Sequence, residues 1–472
     1  MSLQFITGNS GNGKTKYLFN RIVKEAKANP RDNYLVIVPE QFTMQTQRQL
    51  VDLSENKAIM NIDVLSFKRL AYRVFDELGI TNLTVLEETG KNLVLRKLAA
   101  QEADKLGVIG RNLNRIGYIS EVKSLLSELV QYNISPEELG RYIASGRLSD
   151  ALSDKLKDVL VLYEAFEKFM QDKYITAEEI LNVLCNVAEE SAILRNSVIA
   201  FDEFTGFTPI QNQLIKKLFV ISKKIYVTLT IDCREDIFKS RGMQELFDMP
   251  KRTVKSLTEM AAFYGIEVEE PIILDKNYRL AENEELSFME QQLFRKRRCS
   301  FKKVPKHIHI DCLRDPKQEL TKIARRINEL VRNENLRYRD IAIVTGDVNI
   351  YAGYVREIFD KYNIPYFIDA TQEILFHPFI EFIRSIPDIA AQNFSADAVF
   401  RFLRCGFSEL LDSEIDVLEN YVLACGVRGK NAWDKKWVRL PKHKAGYDLE
   451  LLNQSREYIC LLYTSDAADD LT

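Results

Sequence analysis

Apolar positions follow two rhythms along the first eighty residues. Short, largely apolar runs, Leu3 to Thr7, Tyr34 to Val38 and Asn61 to Leu65, read as strands. Between them the apolar residues recur at helical spacing: Leu18, Ile22, Val23 and Ala26 after the first run, then Phe67, Leu70, Ala71, Val74 and Leu78 after the third. Strands separated by helices imply a parallel sheet with right-handed crossovers. From Thr84 to Glu190 the pattern is wholly helical, in segments near 87–106, 117–132, 136–144, 150–172 and 176–189. Strand runs return at Ser197 to Phe201 and Ile225 to Ile231. The economical reading is one α/β domain over 1–83 and 191–290, interrupted by a helical insertion at 84–190.

A basic stretch at 291–306, ending Phe-Lys-Lys-Val-Pro-Lys, reads as a linker, either a solvated charge run or a phosphate contact. A second α/β unit is expected over 307–375. Its strands would be His307 to Cys312, Ile341 to Thr345 and Tyr366 to Asp369, with helices at Lys317 to Asn333 and Val355 to Tyr362. The remainder, 376–459, is helical. Trp433 and Trp437 lie there in a basic segment, with core packing the default and a nucleic-acid platform the alternative. From Cys460 the chain reads Cys-Leu-Leu-Tyr-Thr-Ser-Asp-Ala-Ala-Asp-Asp, which matches a translated transposon-end sequencing adapter. Residues 460–472 are therefore expected to be an artefact, with the natural protein continuing past Ile459.

Composition narrows the class only modestly. The chain carries 65 Lys and Arg against 68 Asp and Glu, a net charge of −3, which excludes a globally basic nucleic-acid binder but not a basic groove. The first residues enter a strand without a charged or apolar leader, and no apolar run is long enough to cross a bilayer. Neither a signal peptide nor a membrane partner is expected. Seven scattered cysteines without a C-x-x-C pair fit reduced thiols in a cytoplasmic protein. The four histidines show no metal-site spacing.

The sharpest chemistry is at the start. Gly8-Asn9-Ser10-Gly11-Asn12-Gly13-Lys14-Thr15 is a complete G-x-x-x-x-G-K-[ST] loop between a strand and a helix. Its glycines let backbone N–H groups surround phosphates, Lys14 reaches the outer phosphates, and the Thr15 hydroxyl can ligate Mg²⁺. The loop predicts a bound nucleoside triphosphate. The second signal is the apolar strand Ser197 to Phe201 ending in Asp202-Glu203. Asp202 would hold the Mg²⁺ and Glu203 would orient or deprotonate an attacking water. Both signals must then lie at C-terminal strand ends of one sheet.

From Asp202 the sequence runs Asp-Glu-Phe-Thr-Gly-Phe-Thr-Pro-Ile-Gln, which resembles motif II of the UvrD/RecB-like superfamily 1 helicases. The variant Phe-Thr-Gly-Phe-Thr-Pro is similar to the AddB family, the B subunits of bacterial AddAB helicase–nucleases. Val-Pro-Glu-Gln-Phe-Thr at 38–43, Leu-Ser-Phe-Lys-Arg-Leu-Ala at 65–71, Tyr-Arg-Asp-Ile-Ala at 338–342, Ile-Pro-Tyr-Phe-Ile-Asp at 364–369 and His-Pro-Phe at 377–379 agree with it. The resemblance spans residues 1 to 458. It implies an α/β fold: a phosphate-loop, RecA-like parallel-sheet domain with a helical insertion, then a second α/β domain with its own. It implies ATP and Mg²⁺ as cofactors, single-stranded DNA and duplex ends as substrates, and a heterodimer with the AddA helicase–nuclease subunit. The implied role is resection of double-strand breaks for recombinational repair, with scanning of single-stranded DNA for a Chi-type signal. The family's nuclease domain and iron–sulfur cluster belong to the full-length protein, beyond this fragment.

The resemblance also assigns residues. Asn277-Tyr278-Arg279 is similar to motif IV, whose arginine, here Arg279, senses the γ-phosphate; a helix-start arginine is the plain alternative. Gln41, Thr43, Arg69, Tyr72, Phe204 and Phe207 fall in loops that single-stranded DNA crosses in such folds, although the aromatics equally suit corner packing. Departures bear on the motor. Thr205-Gly206 stands where a working motor has Gln-Asp, Thr230 to Glu235 replaces motif III, and no upstream glutamine motif is present. Slow or absent hydrolysis with impaired coupling is expected. Two other readings stay open, a small-molecule kinase or phosphotransferase and a structural DNA-binding protein with a vestigial loop.

Overall fold

The computed structural model describes residues 1–81, 84–108, 110, 116–145, 148–170, 174–295, 299–369, 374–441 and 447–461. The chain divides into two compact units, Met1–His309 and Ile310–Thr472. Most of the suspected adapter segment, 462–472, lies outside the described residues.

The first unit opens as its apolar rhythm dictates, with β1 (Ser2–Gly8), α1 (Lys14–Ala28), β2 (Tyr34–Ile37), α2 (Thr43–Leu53), β3 (Ile62–Leu65) and α3 (Phe67–Leu78). The insertion follows: β4 (Val85–Leu86), α4 (Glu88–Gln101), α5 (Ile116–Gln131), α6 (Pro136–Ala144), α7 (Asp150–Met170), β5 (Ile175–Thr176) and α8 (Ile180–Val187). The sheet resumes with β6 (Val198–Phe201), α9 (Pro209–Ile221), β7 (Lys224–Thr230), α10 (Asp248–Phe263), β8 (Glu267–Val268), β9 (Ile272–Leu274) and α11 (Glu284–Gln292).

Seven strands form one sheet in the order β3-β2-β6-β7-β1-β8, with β9 also on β1, and every pairing is parallel. Strands buried on both faces need continuous apolar runs, and Leu3, Phe5 and Ile6 in β1 and Leu35, Val36 and Ile37 in β2 are almost wholly buried. Their side chains alternate between two cores. Phe5, Leu35, Ile37 and Phe201 pack under α3, α8 and α9, while Ile6, Val36 and Ala200 pack against α1 and α2. The insertion has a separate core around Leu95, Leu162 and Phe166. Its two ends meet in a short parallel pair, β4 on β5.

Glu77, the penultimate residue of α3, closes that loop from the sheet side. Its carboxylate accepts from Ser191 Oγ and from the N–H groups of Ala192 and Ile193, at 2.8 and 3.0 Å for the two amides. The segment leaving the sheet thus holds the segment returning to it.

The second unit departs from expectation. Its helices are α12 (Pro316–Asn333), α13 (Val348–Lys361), α14 (Pro378–Ala391), α15 (Ala396–Leu403), α16 (Asp412–Cys425), α17 (Lys430–Asp434) and α18 (Leu449–Leu461). No strand is assigned among its described residues, so the second α/β layer read from the sequence is not formed here. The runs at 307–312, 341–345 and 366–369 carry strand-like residues but lie in no ladder, and Ile310, Val344 and Phe367 are exposed. An apolar run becomes a strand only when neighbouring backbone takes up its N–H and C=O groups. Trp433 and Trp437 are buried in the core of this unit, their rings 5.2 Å apart, which settles them as packing residues. The basic stretch 291–306 belongs to the first unit, where the Glu285 carboxylate accepts from Lys306 N and His307 N. Among the described residues no helix is long and apolar enough to cross a membrane.

Glu77→Ala leaves two backbone amides and a hydroxyl without their acceptor. The expected loss is about 1–3 kcal/mol, read as a lower urea midpoint with unchanged slope. An unchanged midpoint would show that water replaces the carboxylate at no cost.

Candidate functional site

The glycine-rich loop leaves β1 and ends at the start of α1, with Gly13 as the helix N-cap. Two of its glycines are sterically required. A Cβ on Gly8 would lie 2.6 Å from the Leu274 carbonyl oxygen. Gly11 has φ +89°, and a Cβ there would sit 2.7 Å from Asn277 Oδ1 and 2.8 Å from Arg279 Cβ. The two asparagines of the loop turn away from the cleft and hold it, while Ser10, Lys14 and Thr15 line it. Asn12 Nδ2 donates to the Leu274 carbonyl, Asn9 Nδ2 donates to Glu290, and Asn9 Oδ1 accepts from Cys233 N at 3.0 Å. Asn9 and Asn12 are thus positioning residues.

Lys14 Nζ donates to the carbonyls of Gly8 and Asn9, each at 3.1 Å. Burial lowers its pKa below the ordinary lysine value, against the opposing charges of Glu203 and Asp202. Thr15 Oγ1 lies 3.3 Å from both Asp202 Oδ1 and Glu203 Oε1. The Asp-Glu strand β6 is separated from β1 by β7 alone, so the acids and the loop share one sheet edge, as the sequence requires. β7 contributes Thr228, whose hydroxyl donates to Asp202 Oδ1.

Asp202 is 1% exposed, and its Oδ2 has no hydrogen-bond partner. Burial pushes its pKa above the ordinary carboxylate range, opposed by the hydroxyls of Thr228 and Thr15 and reinforced by Glu203. A buried carboxylate oxygen without a donor, beside a threonine hydroxyl, is a set of hard oxygen ligands suited to a small divalent cation. Among the described residues no cluster of three or more acidic, His or Cys side chains is placed to hold a metal, this cleft included, so Asp202 and Thr15 would have to share the cation with phosphate or water oxygens. Glu203 is exposed and has φ +65°, which costs a non-glycine residue roughly 1–2 kcal/mol.

Residues 277–279 lie across the loop. Asn277 Nδ2 donates to the Ser10 carbonyl, and Tyr278 N to the Gly11 carbonyl, both at 3.0 Å. Arg279 Nη1 is 3.5 Å from Ser10 Oγ. Together these groups enclose a cleft of about 790 Å³ that reaches from Lys14 and Asp202 to Gln45 and Gln49 of α2. A cleft of this size is in the range of small-ligand sites.

The six residues read as nucleic-acid contacts fall into two groups. Gln41 is exposed beside Glu40, and Glu40 pairs with Arg69 at 3.2 Å; Tyr72, 38% exposed, lies one helical turn further along α3. Thr43 is buried, its hydroxyl donating to the Glu40 carbonyl at 3.0 Å. Phe204 and Phe207 are half-buried and pack with Phe201 and Phe67 at centroid distances of 5.3 to 6.3 Å. They serve the corner between β6 and α3. Gln211, which closes the motif II resemblance, forms a reciprocal capping box with Thr208 at the start of α9.

Sequence reasoning passes over three groups. A threonine inside the apolar run of β7 is the visible trace of Thr228. Asn277 stands out only as a neighbour of Arg279. Asp232, two residues past β7, is 1% exposed and accepts from Arg234 and Arg295, with Arg295 Nη2 at 2.8 Å. Its neighbour Cys233 is the residue that holds Asn9, so this ion cluster backs the loop from behind.

Fold and site together define an α/β protein with a largely parallel sheet, in which a glycine-rich loop and a buried acidic strand end share one cleft. The family model described as ADDB, N-terminal matches residues 5–290, and the chain belongs to that family. It is 39% identical over 471 residues to the B subunit of the ATP-dependent helicase/deoxyribonuclease of Lachnoclostridium phytofermentans, covering 98% of this chain and 41% of that protein. Proteins of the same description from Clostridium tetani and Caldanaerobacter subterraneus subsp. tengcongensis are each 34% identical, over 93% and 97% of this chain and 38% and 39% of their own lengths. The chain therefore spans about two fifths of the length of these relatives.

Burial opposes ionisation of Asp232, but hydrogen bonds from the Arg234 side chain and backbone, with the charges of Arg234 and Arg295, outweigh it and hold the carboxyl at about 2. The folded-state value is depressed, so the stability it contributes is present above the unfolded value of 3.8 and lost as pH falls towards 2. Asp232→Asn should be less stable than the parent by on the order of 2 kcal/mol at pH 7. The gap should narrow steadily below pH 4 in urea titrations. A gap independent of pH would assign the effect to packing instead.

Proposed function

We propose that this chain is the ATP-binding, DNA-contacting N-terminal part of the B subunit of an ATP-dependent helicase/deoxyribonuclease. The complex would resect double-strand DNA breaks for recombinational repair in the cytoplasm, with a second helicase–nuclease chain of the AddA type as partner. The observation that carries the reading is the convergence of Lys14, Thr15, Asp202 and Glu203 in one cleft at the C-terminal edge of a parallel sheet. The names of the relatives support the ATP-dependent complex and its DNA substrate. A family model spanning 5–290 leaves the small-molecule kinase reading without support of its own.

In this reading the loop backbone from Gly8 to Gly13 binds the phosphates, and Lys14 leaves the Gly8 and Asn9 carbonyls for a phosphate oxygen. Thr15 and Asp202 would hold Mg²⁺, which would supply charge neutralisation for the phosphates. Glu203 orients water, and Arg279 faces the terminal phosphate. Hydrolysis is slow, because Thr205-Gly206 and the Asp232 cluster replace the polar groups that couple a motor to its track. Single-stranded DNA passes over Gln41, Arg69 and Tyr72 and is scanned for a Chi-type signal. Thr43 and the phenylalanines Phe204 and Phe207 support that surface from below. A nuclease domain and an iron–sulfur cluster, which the resemblance implies for the whole subunit, would belong to that complex.

Lys14→Ala should weaken Mg·ATP binding about 10- to 100-fold in calorimetric titration, with thermal stability unchanged. Equal affinity in parent and variant would reduce the loop to a structural relic. Arg69→Ala combined with Tyr72→Ala should weaken single-stranded DNA binding about 10- to 100-fold and leave nucleotide binding intact. Parallel loss of both activities would indicate misfolding and remove the assignment.

A further inference from the structure

The loop from β2 to α2 carries one acidic side chain directly beside the proposed DNA surface. Glu40 opens a short 3₁₀ turn, Glu40–Phe42, held by Phe42 N on the Pro39 carbonyl and by Thr43 Oγ1 on Glu40's own carbonyl. Its backbone position is therefore fixed. Its carboxylate accepts from two groups of α3, Ser66 Oγ and Arg69 Nε, the latter at 3.2 Å. Ser66 is the N-cap of that helix and accepts from Arg69 N at 3.3 Å, so one hydroxyl orients the carboxylate and caps the helix that carries the arginine.

We propose that Glu40 gates the DNA surface: it holds Arg69 in the free protein and must be displaced by a phosphate of single-stranded DNA before Arg69 can take part in binding. The proposal rests on the reading of Arg69 as a DNA contact. Its chemistry is direct. A carboxylate and a phosphodiester are both oxygen anions that compete for one guanidinium, and a phosphate can engage two N–H groups where Glu40 engages Nε. The magnitudes suit a gate. The Arg69 and Glu40 side chains are 54% and 57% exposed, and an ion pair so solvated is weak. It is strong enough to offset a lone phosphate contact, and weak enough to yield when Gln41 and Tyr72 are engaged on the same strand. Removing the acid should therefore raise affinity for single-stranded DNA whatever its sequence.

The test is equilibrium binding of fluorescein-labelled oligo-dT to the full-length protein, by anisotropy in EDTA. The variants are Glu40→Gln, Arg69→Ala and the double variant. Glu40→Gln keeps an acceptor for Ser66, and should tighten binding roughly two- to five-fold at low salt, with the gain fading towards 1 M salt. In the Arg69→Ala background the same change should have no effect. If the amide disturbs the turn, Glu40→Asp, which withdraws the charge by one methylene, should give a smaller gain of the same sign. If Arg69→Ala weakens binding while neither Glu40 variant strengthens it, the gate is wrong and the DNA surface stands. If Glu40→Gln strengthens binding equally without Arg69, the acid acts only through net charge and the gate is again wrong. If Arg69→Ala binds as the parent does, the DNA surface itself is wrong and the gate falls with it.

Discussion

A carboxylate that is 1% exposed must be held by its neighbours, and Asp202 is held by hydroxyls from two other elements, Thr228 on β7 and Thr15 at the start of α1. That requirement fixes much of the first unit. It sets the phosphate loop one strand away from the acidic strand, and it fixes which face of β7 carries a polar residue. It also leaves one carboxylate oxygen without a donor, a cost that a bound cation would remove. The loop is braced from the opposite side by Asn9, Asn12 and the Asp232 cluster. The cleft is thus a place where the fold has accepted local destabilisation on one wall and reinforced the other.

What is readable from the chain alone depends on how far along it the controlling contact lies. The phosphate loop is plain because its glycines, lysine and threonine act within eight positions. The longer strands of the parallel sheet are plain because burial on both faces writes a largely apolar run, while β8 and β9, two and three residues long, leave no such run and are missed. The helix 43–53 leaves little trace, since only Thr43, Thr46 and Leu50 are buried along its mostly polar length. The anchoring of Asn12 by Leu274 and of Ser10 by Asn277 joins residues more than 250 positions apart, a relation no local spacing carries. The runs at 307–312, 341–345 and 366–369 err in the other direction. Their residues suit strands, but a strand is a pairing and not a composition.

The aromatic residues show the same dependence on neighbours. Phe204 and Phe207 follow the acidic pair and read as faces for bases, while Phe67 reads only as one apolar position of a helix. In the folded chain they form one cluster with Phe201, so the turn after β6 and the first turn of α3 share side chains. Glu203 lies between Phe201 and Phe204 in a strained backbone conformation. The turn carrying Glu203 and the first turn of α3, which leads to Arg69, therefore share one packed aromatic cluster.

The insertion enters and leaves the sheet at a single point, where Glu77 grips residues 191–193 and β4 lies on β5. Because β4 and β5 are already adjacent, little of the chain between them is needed to bridge the gap, whereas α8 packs in the core of the sheet itself. The helices between β4 and β5 have a core of their own around Leu95, Leu162 and Phe166, so their number does not set the register of the parallel strands. The same geometry makes this junction a natural place to graft a foreign domain, or to splice in a short turn.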